Sequence, residues 1–211
     1  MVAEARNAAR VVLAMIDEAA PFLRSSSEES AQQFGAAGLM RCCALLRSIL
    51  ALDEAHAAGI ARILEREHRE TWLVAMYVLL SGDSALGAVV GDGVSSSAKC
   101  DALGDRVSAL LSDREDGVAR ARANEFIHDD AQCSVGLQAT IAKIARHIER
   151  GPGEWRVTPK PSSAASDVIG MPLMRTVFLA QHVFAEFGID RGALDRIMDH
   201  ATYITDTKVR A

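Results

Sequence analysis

The sequence predicts an all-α protein, a single bundle of six or seven helices formed by one domain over residues 1–211. Apolar residues recur close to every 3.6 positions along most of the chain, and the period-2 alternation of a half-buried strand is nearly absent. Glycine and proline gather in two stretches, 82–97 and 151–170, which are expected to be loops. A domain of this length can bury roughly 70% of its unfolded surface without disulfides.

The elements follow in order. A first helix is predicted from Val2 to Leu23. A capping box of Ser26 with Glu29 opens a second helix that runs to about Leu50. Asp53 is the expected N-cap of a third, Glu54 to Leu80. Gly82, Gly87, Gly91 and Gly93 break the pattern, with at most a short helix over Ala85 to Val90, and helicity resumes near Ala98. A long helix is predicted from Asp113 or Asp116 to Arg150, where Gly151 and Pro152 stop it. After the second loop, Pro172 is placed in the first turn of a helix ending at Gly188, and Asp190 caps a last helix to about Thr205. The third helix and the long one are the expected centre of the bundle.

Charge and cysteines limit the functional classes. Lys plus Arg number 23 against 28 Asp plus Glu, a net charge of −5, which argues against a general polyanion binder. One local exception runs from Lys143 to Lys160, where Lys143, Arg146, Arg150, Arg156 and Lys160 face only Glu149 and Glu154. That patch suits a phosphate backbone such as RNA, and equally suits the C-terminal dipole of its own helix. Cys42, Cys43, Cys100 and Cys133 lack any Cys-x-x-Cys spacing, so neither zinc nor a disulfide framework is expected. The apolar run Val11 to Ile16 is cut by Asp17 and Glu18 before it reaches signal-peptide length, and the longest charge-free apolar stretch, Thr71 to Gly82, is short of a membrane span. A cytoplasmic protein with no membrane partner is expected.

Three polar constellations are candidates for chemistry. On the third helix, Ile60, Leu64, Thr71, Ala75 and Val78 fall on one stripe that also contains Glu67 and His68, with Arg66 and Glu70 paired on its flank. Glu67, His68 and Glu70, with Arg66, thus line a polar pocket, or else His68 is a core histidine beside a surface ion pair. Two Glu-x-x-His units, Glu65 with His68 and Glu125 with His128, match the repeat of di-iron bundles. The further inward glutamates such a centre needs are wanting beyond Glu18, so no metal site and no cofactor are expected.

The third constellation is Arg175 with His182. Seven steps at 100° return them to within about 20° of one another, with Glu186 on the same face. The other Arg-His pairs of similar spacing, Arg62 with His68 and Arg122 with His128, lie about 120° apart. An arginine followed after four to six residues by histidine resembles the motif of HEPN ribonucleases. The resemblance implies an arginine that binds and polarises phosphate and a histidine that is acid or base for 2′-hydroxyl chemistry. A solvated polar strip accounts for the same row. Phosphate-loop, nucleophile-elbow and His-Glu-x-x-His signatures are missing from the sequence.

The segment Ile60 to Leu86, IARILEREHRETWLVAMYVLLSGDSAL, carries Arg66-x-x-x-Glu70 followed by an aromatic and apolar run that ends in a Gly/Asp turn. It resembles a group of uncharacterised bacterial helical proteins, some of them HEPN-like. The resemblance covers about one eighth of the chain and implies an all-helical bundle without assigning catalytic residues. The histidine expected after a Tyr/Ser segment is not evident around Trp155 to Asp167. The leading expectation is a HEPN-like binding or regulatory module, with Arg175 and His182 the best geometric pair should it cleave RNA. The alternatives are an interaction module that acts as a homodimer without catalysis, and a bundle with a small-molecule or metal pocket at Glu67, His68 and Glu70.

Overall fold

A computed structural model describes residues 2–23, 30–86, 97–114, 148–151, 154–157 and 167–198. Within them the chain is an all-α bundle of seven α-helices: α1 (Val2–Ala19), α2 (Ala31–Glu54), α3 (Ala58–Ser81), α4 (83–86), α5 (Ser97–Arg114), α6 (Asp167–Glu186) and α7 (192–198). The core lies where α2, α3 and α6 pack on one another, joined by α1 along α2 and α6, and by α5 along α3. Leu39, Leu46 and Ile49 of α2, Trp72, Leu73 and Met76 of α3, and Ile169, Val177 and Leu179 of α6 are fully buried. The Trp72 and Phe178 rings meet at 6.2 Å and 57°, tilted as aromatic quadrupoles prefer.

Local chemistry moves several predicted boundaries. Pro21 turns the end of α1 into a single 3-10 turn, Ala20–Phe22. The N-cap of α2 is Ser30, whose Oγ accepts the Gln33 N–H at 3.2 Å, rather than Ser26. Asp83 Oδ1 accepts the Ala31 N–H at 2.7 Å, so a second helix-terminal donor is satisfied from across the bundle. Asp53 caps nothing: it lies inside α2 with its carboxylate buried, and α3 starts at Ala58 with no side-chain cap. α2 ends in a Schellman motif, Ala57 N–H to Leu52 O and His56 N–H to Asp53 O, which holds His56 at a φ of 57°. The same motif closes α6, with Gly188 at a φ of 66° and Ile189 N–H on Phe184 O. Asp190 accepts the Gly192 N–H at 2.9 Å and caps α7 as the sequence predicts.

Two corrections are larger. α6 begins at Asp167, so Pro172 is inside it and not in its first turn, and the Val168 carbonyl receives no helical N–H from that position. The expected loop 151–170 is therefore helical from Asp167. Nor does a helix reach Arg150: Ile148–Gly151 and Glu154–Val157 are short antiparallel strands, β1 and β2, with Ile148 opposite Val157 and Gly151 opposite Glu154. Ile, Trp and Val beside a Gly-Pro-Gly sequence favour that pairing over a helix end. The rest of the predicted long helix and most of loop 82–97 lie outside the described residues. The Lys143 to Lys160 patch falls on these strands and on residues not described.

Gly38 is what lets α2 and α3 approach so closely. A Cβ there would lie 2.4 Å from the Ala75 Cβ, whereas one on Gly170 in α6 would meet nothing within 4 Å. Gly38→Ala is expected to lower stability by about 1–2 kcal/mol, because overpacking costs about 1–3 kcal/mol against a helix-propensity gain of up to about 1. Gly170→Ala should instead stabilise by up to about 1 kcal/mol. Urea midpoints of the two variants moving in the same direction would contradict this packing.

Candidate functional site

α3 carries three faces, and they differ from the predicted stripe. Ala61, Glu65, His68, Arg69, Trp72 and Met76 point inward, while Ile60, Ile63, Arg66 and Glu67 are exposed and Glu70 and Thr71 half-buried. Because Trp72 to Leu80 is apolar all round, it sets no rotational phase, and choosing the phase from Ile60 and Leu64 turns the helix too far. The Arg66–Glu70 pair forms as expected, Nε to Oε1 at 2.9 Å. Glu67 pairs instead with Arg41 across the α2–α3 seam. The structure thus brings Glu70, Arg66 and Glu67 to one surface and sends His68 into the core, so these four do not share a pocket.

His68 is fully buried and joins α3 to α6. Its Nε2 lies 2.9 Å from Thr176 Oγ1, and the Thr176 hydroxyl donates to the Pro172 carbonyl at 2.8 Å. Since that single hydroxyl proton is committed, the hydroxyl accepts from His68, which fixes the Nε2–H tautomer of the neutral ring. Nδ1 is left as a buried lone pair without a protein partner. Burial first, and the Arg175 charge second, push His68 down to about 3. The ring is therefore neutral across the physiological range.

Arg175 is also fully buried, on α6, and its charge acts on both His68 and Cys42. Burial and the neighbouring Cys43 raise the Cys42 thiol far above its ordinary range, and burial, partly opposed by Arg47, pushes Cys43 up to about 12. Both are free thiols and remain protonated, so neither is a ready nucleophile.

His182 lies two turns beyond Arg175, about 10 Å along the helix axis. It is half-buried, with Nδ1 2.9 Å from its own helix's Phe178 carbonyl and its ring 4.6 Å from the Phe178 ring. Sharing a helix face therefore does not give this pair a shared environment: Arg175 faces the core cluster while His182 reaches the periphery. Glu186 is exposed and accepts from Gln32 Nε2 at 3.3 Å. Among the described residues no group of three metal-ligating side chains assembles, and Glu125 and His128 lie outside them.

The cluster that sequence reasoning missed is the inward one, His68, Thr176, Arg175 and Cys42, contributed by three helices. Its signal was the position of Thr176 one residue after Arg175 and four after Pro172. A second buried charge, Asp53, is clamped by Arg6 Nε at 2.7 Å and Nη2 at 2.6 Å.

Among the described residues, two surface depressions border the candidate residues. One, of about 350 Å³, runs along the α2–α3 seam between Phe34, Ala37 and Gly38 on one side and Glu70, Thr71 and Val74 on the other. The other, of about 420 Å³, is more polar and sits at the start of α2 beside Ser30, Asp83 and Glu186. By length and composition Ala31–Glu54 and Val168–Glu186 are apolar enough to cross a membrane, yet about half and two thirds of those stretches are buried within the fold, as in core helices. Compared with protein-family models, curated proteins and solved structures, the chain matches none.

Proposed function

We propose that this chain is a helical binding module that engages a protein partner through the exposed side of α3 and the adjoining α2–α3 groove. One observation carries the reading: Ile60 and Ile63 are 56% and 69% exposed, three residues apart on the outer side of a helix whose other side is already packed into the core. Large apolar residues grouped on such a surface favour an intermolecular contact. Arg175 and His68 are fully buried and so closed to any phosphate arriving from solution.

The competing reading, HEPN-like RNA cleavage, draws support from His182. Donation from its Nδ1–H to the Phe178 carbonyl makes Nε2 the lone-pair nitrogen, the form a general base requires. A small-molecule or metal pocket at Glu67, His68 and Glu70 has no such support, since His68 faces away from the two glutamates.

A benzophenone amino acid at position 63, irradiated in cells, is expected to give an adduct heavier than the chain, and the same group at exposed Glu18 is expected to give none. Absence of any adduct at 63 would remove the binding reading. RNA cleaved by the purified chain, and not by His182→Ala, would replace it with the nuclease.

A further inference from the structure

We draw no further inference here: the strongest candidate, the apolar depression along the α2–α3 seam together with the exposed Ile60 and Ile63 of α3, belongs to the surface already described, and nothing in the structure shows what covers it.

Discussion

Arg6→Ala is expected to destabilise the protein by about 3 kcal/mol or more, because it strands a buried carboxylate. The Asp53 side chain has no exposed surface, and both contacts from Arg6, Nε at 2.7 Å and Nη2 at 2.6 Å, fall on Oδ2. Its Oδ1 already lacks a hydrogen-bond partner, so nothing else compensates the charge once the guanidinium is gone. The neighbouring bridge from Arg10 to Glu54 joins the same two helices, but its side chains are 60% and 44% exposed. Arg10→Ala should therefore cost less than about 1 kcal/mol. Adding Asp53→Asn to Arg6→Ala should restore part of the loss, since it removes the stranded charge. Urea unfolding at neutral pH checks all three, and equal losses for Arg6→Ala and Arg10→Ala would show that burial does not distinguish the pairs.

The second large effect is on pH. His68 titrates about 3 in the fold against 6.5 as an unperturbed histidine. Between those values the unfolded chain binds the extra proton and the folded chain does not, so unfolding takes up a proton and stability falls as the pH is lowered. The contribution is fully present above about pH 6.5 and is lost progressively toward pH 3. Over the middle of that window the slope from one group approaches about 1.4 kcal/mol per pH unit. His68→Gln can still donate to Thr176 but cannot take up the proton. Relative to wild type it should therefore be least stable near neutrality and gain ground steadily as the pH falls from 6 to 4.5. Parallel stability curves for the two proteins would show that His68 is not held neutral. Other titrating groups act equally on both chains and cancel in the comparison.

Both effects come from polar groups that sequence periodicity treats as exceptions, and this marks the boundary of what could be read. Helix existence follows from apolar spacing, which is why α1, α2, α3 and α5 appear where the pattern places them and why the Arg66–Glu70 pair forms. Helix phase is another matter. Between Trp72 and Leu80 every face is oily; His68 is buried as its place on the apolar stripe implies, but Glu67 on the same stripe is exposed, and Glu65 and Arg69 are buried in its stead.

Partners across the bundle were equally hidden. Asp53 is an ordinary N-cap candidate by position, and only the antiparallel run of α1 along α2, seen again in Arg47 with Asp17 at 2.6 Å, brings Arg6 to it. Thr176 is invisible as a hydrogen-bond partner of His68 because 108 residues separate them. The Arg175 and His182 pair shows the limit of wheel arithmetic: angular agreement is real, but two turns of rise put one residue in the core and the other at its edge. Pro172, read from sequence as a start, is tolerated inside α6, where the Thr176 hydroxyl adds a bond to its carbonyl.

His68 and Arg175 are both buried in the core, and the bond from His68 of α3 to Thr176 of α6 is what fixes the neutral ring between the two helices. The most direct test of this is the long-range proton–nitrogen NMR spectrum of the His68 imidazole recorded from pH 8 to pH 5. One neutral Nε2–H tautomer is expected, with nitrogen shifts that do not move over that range. A ring that titrates near 6.5, or that carries its proton on Nδ1, would contradict it.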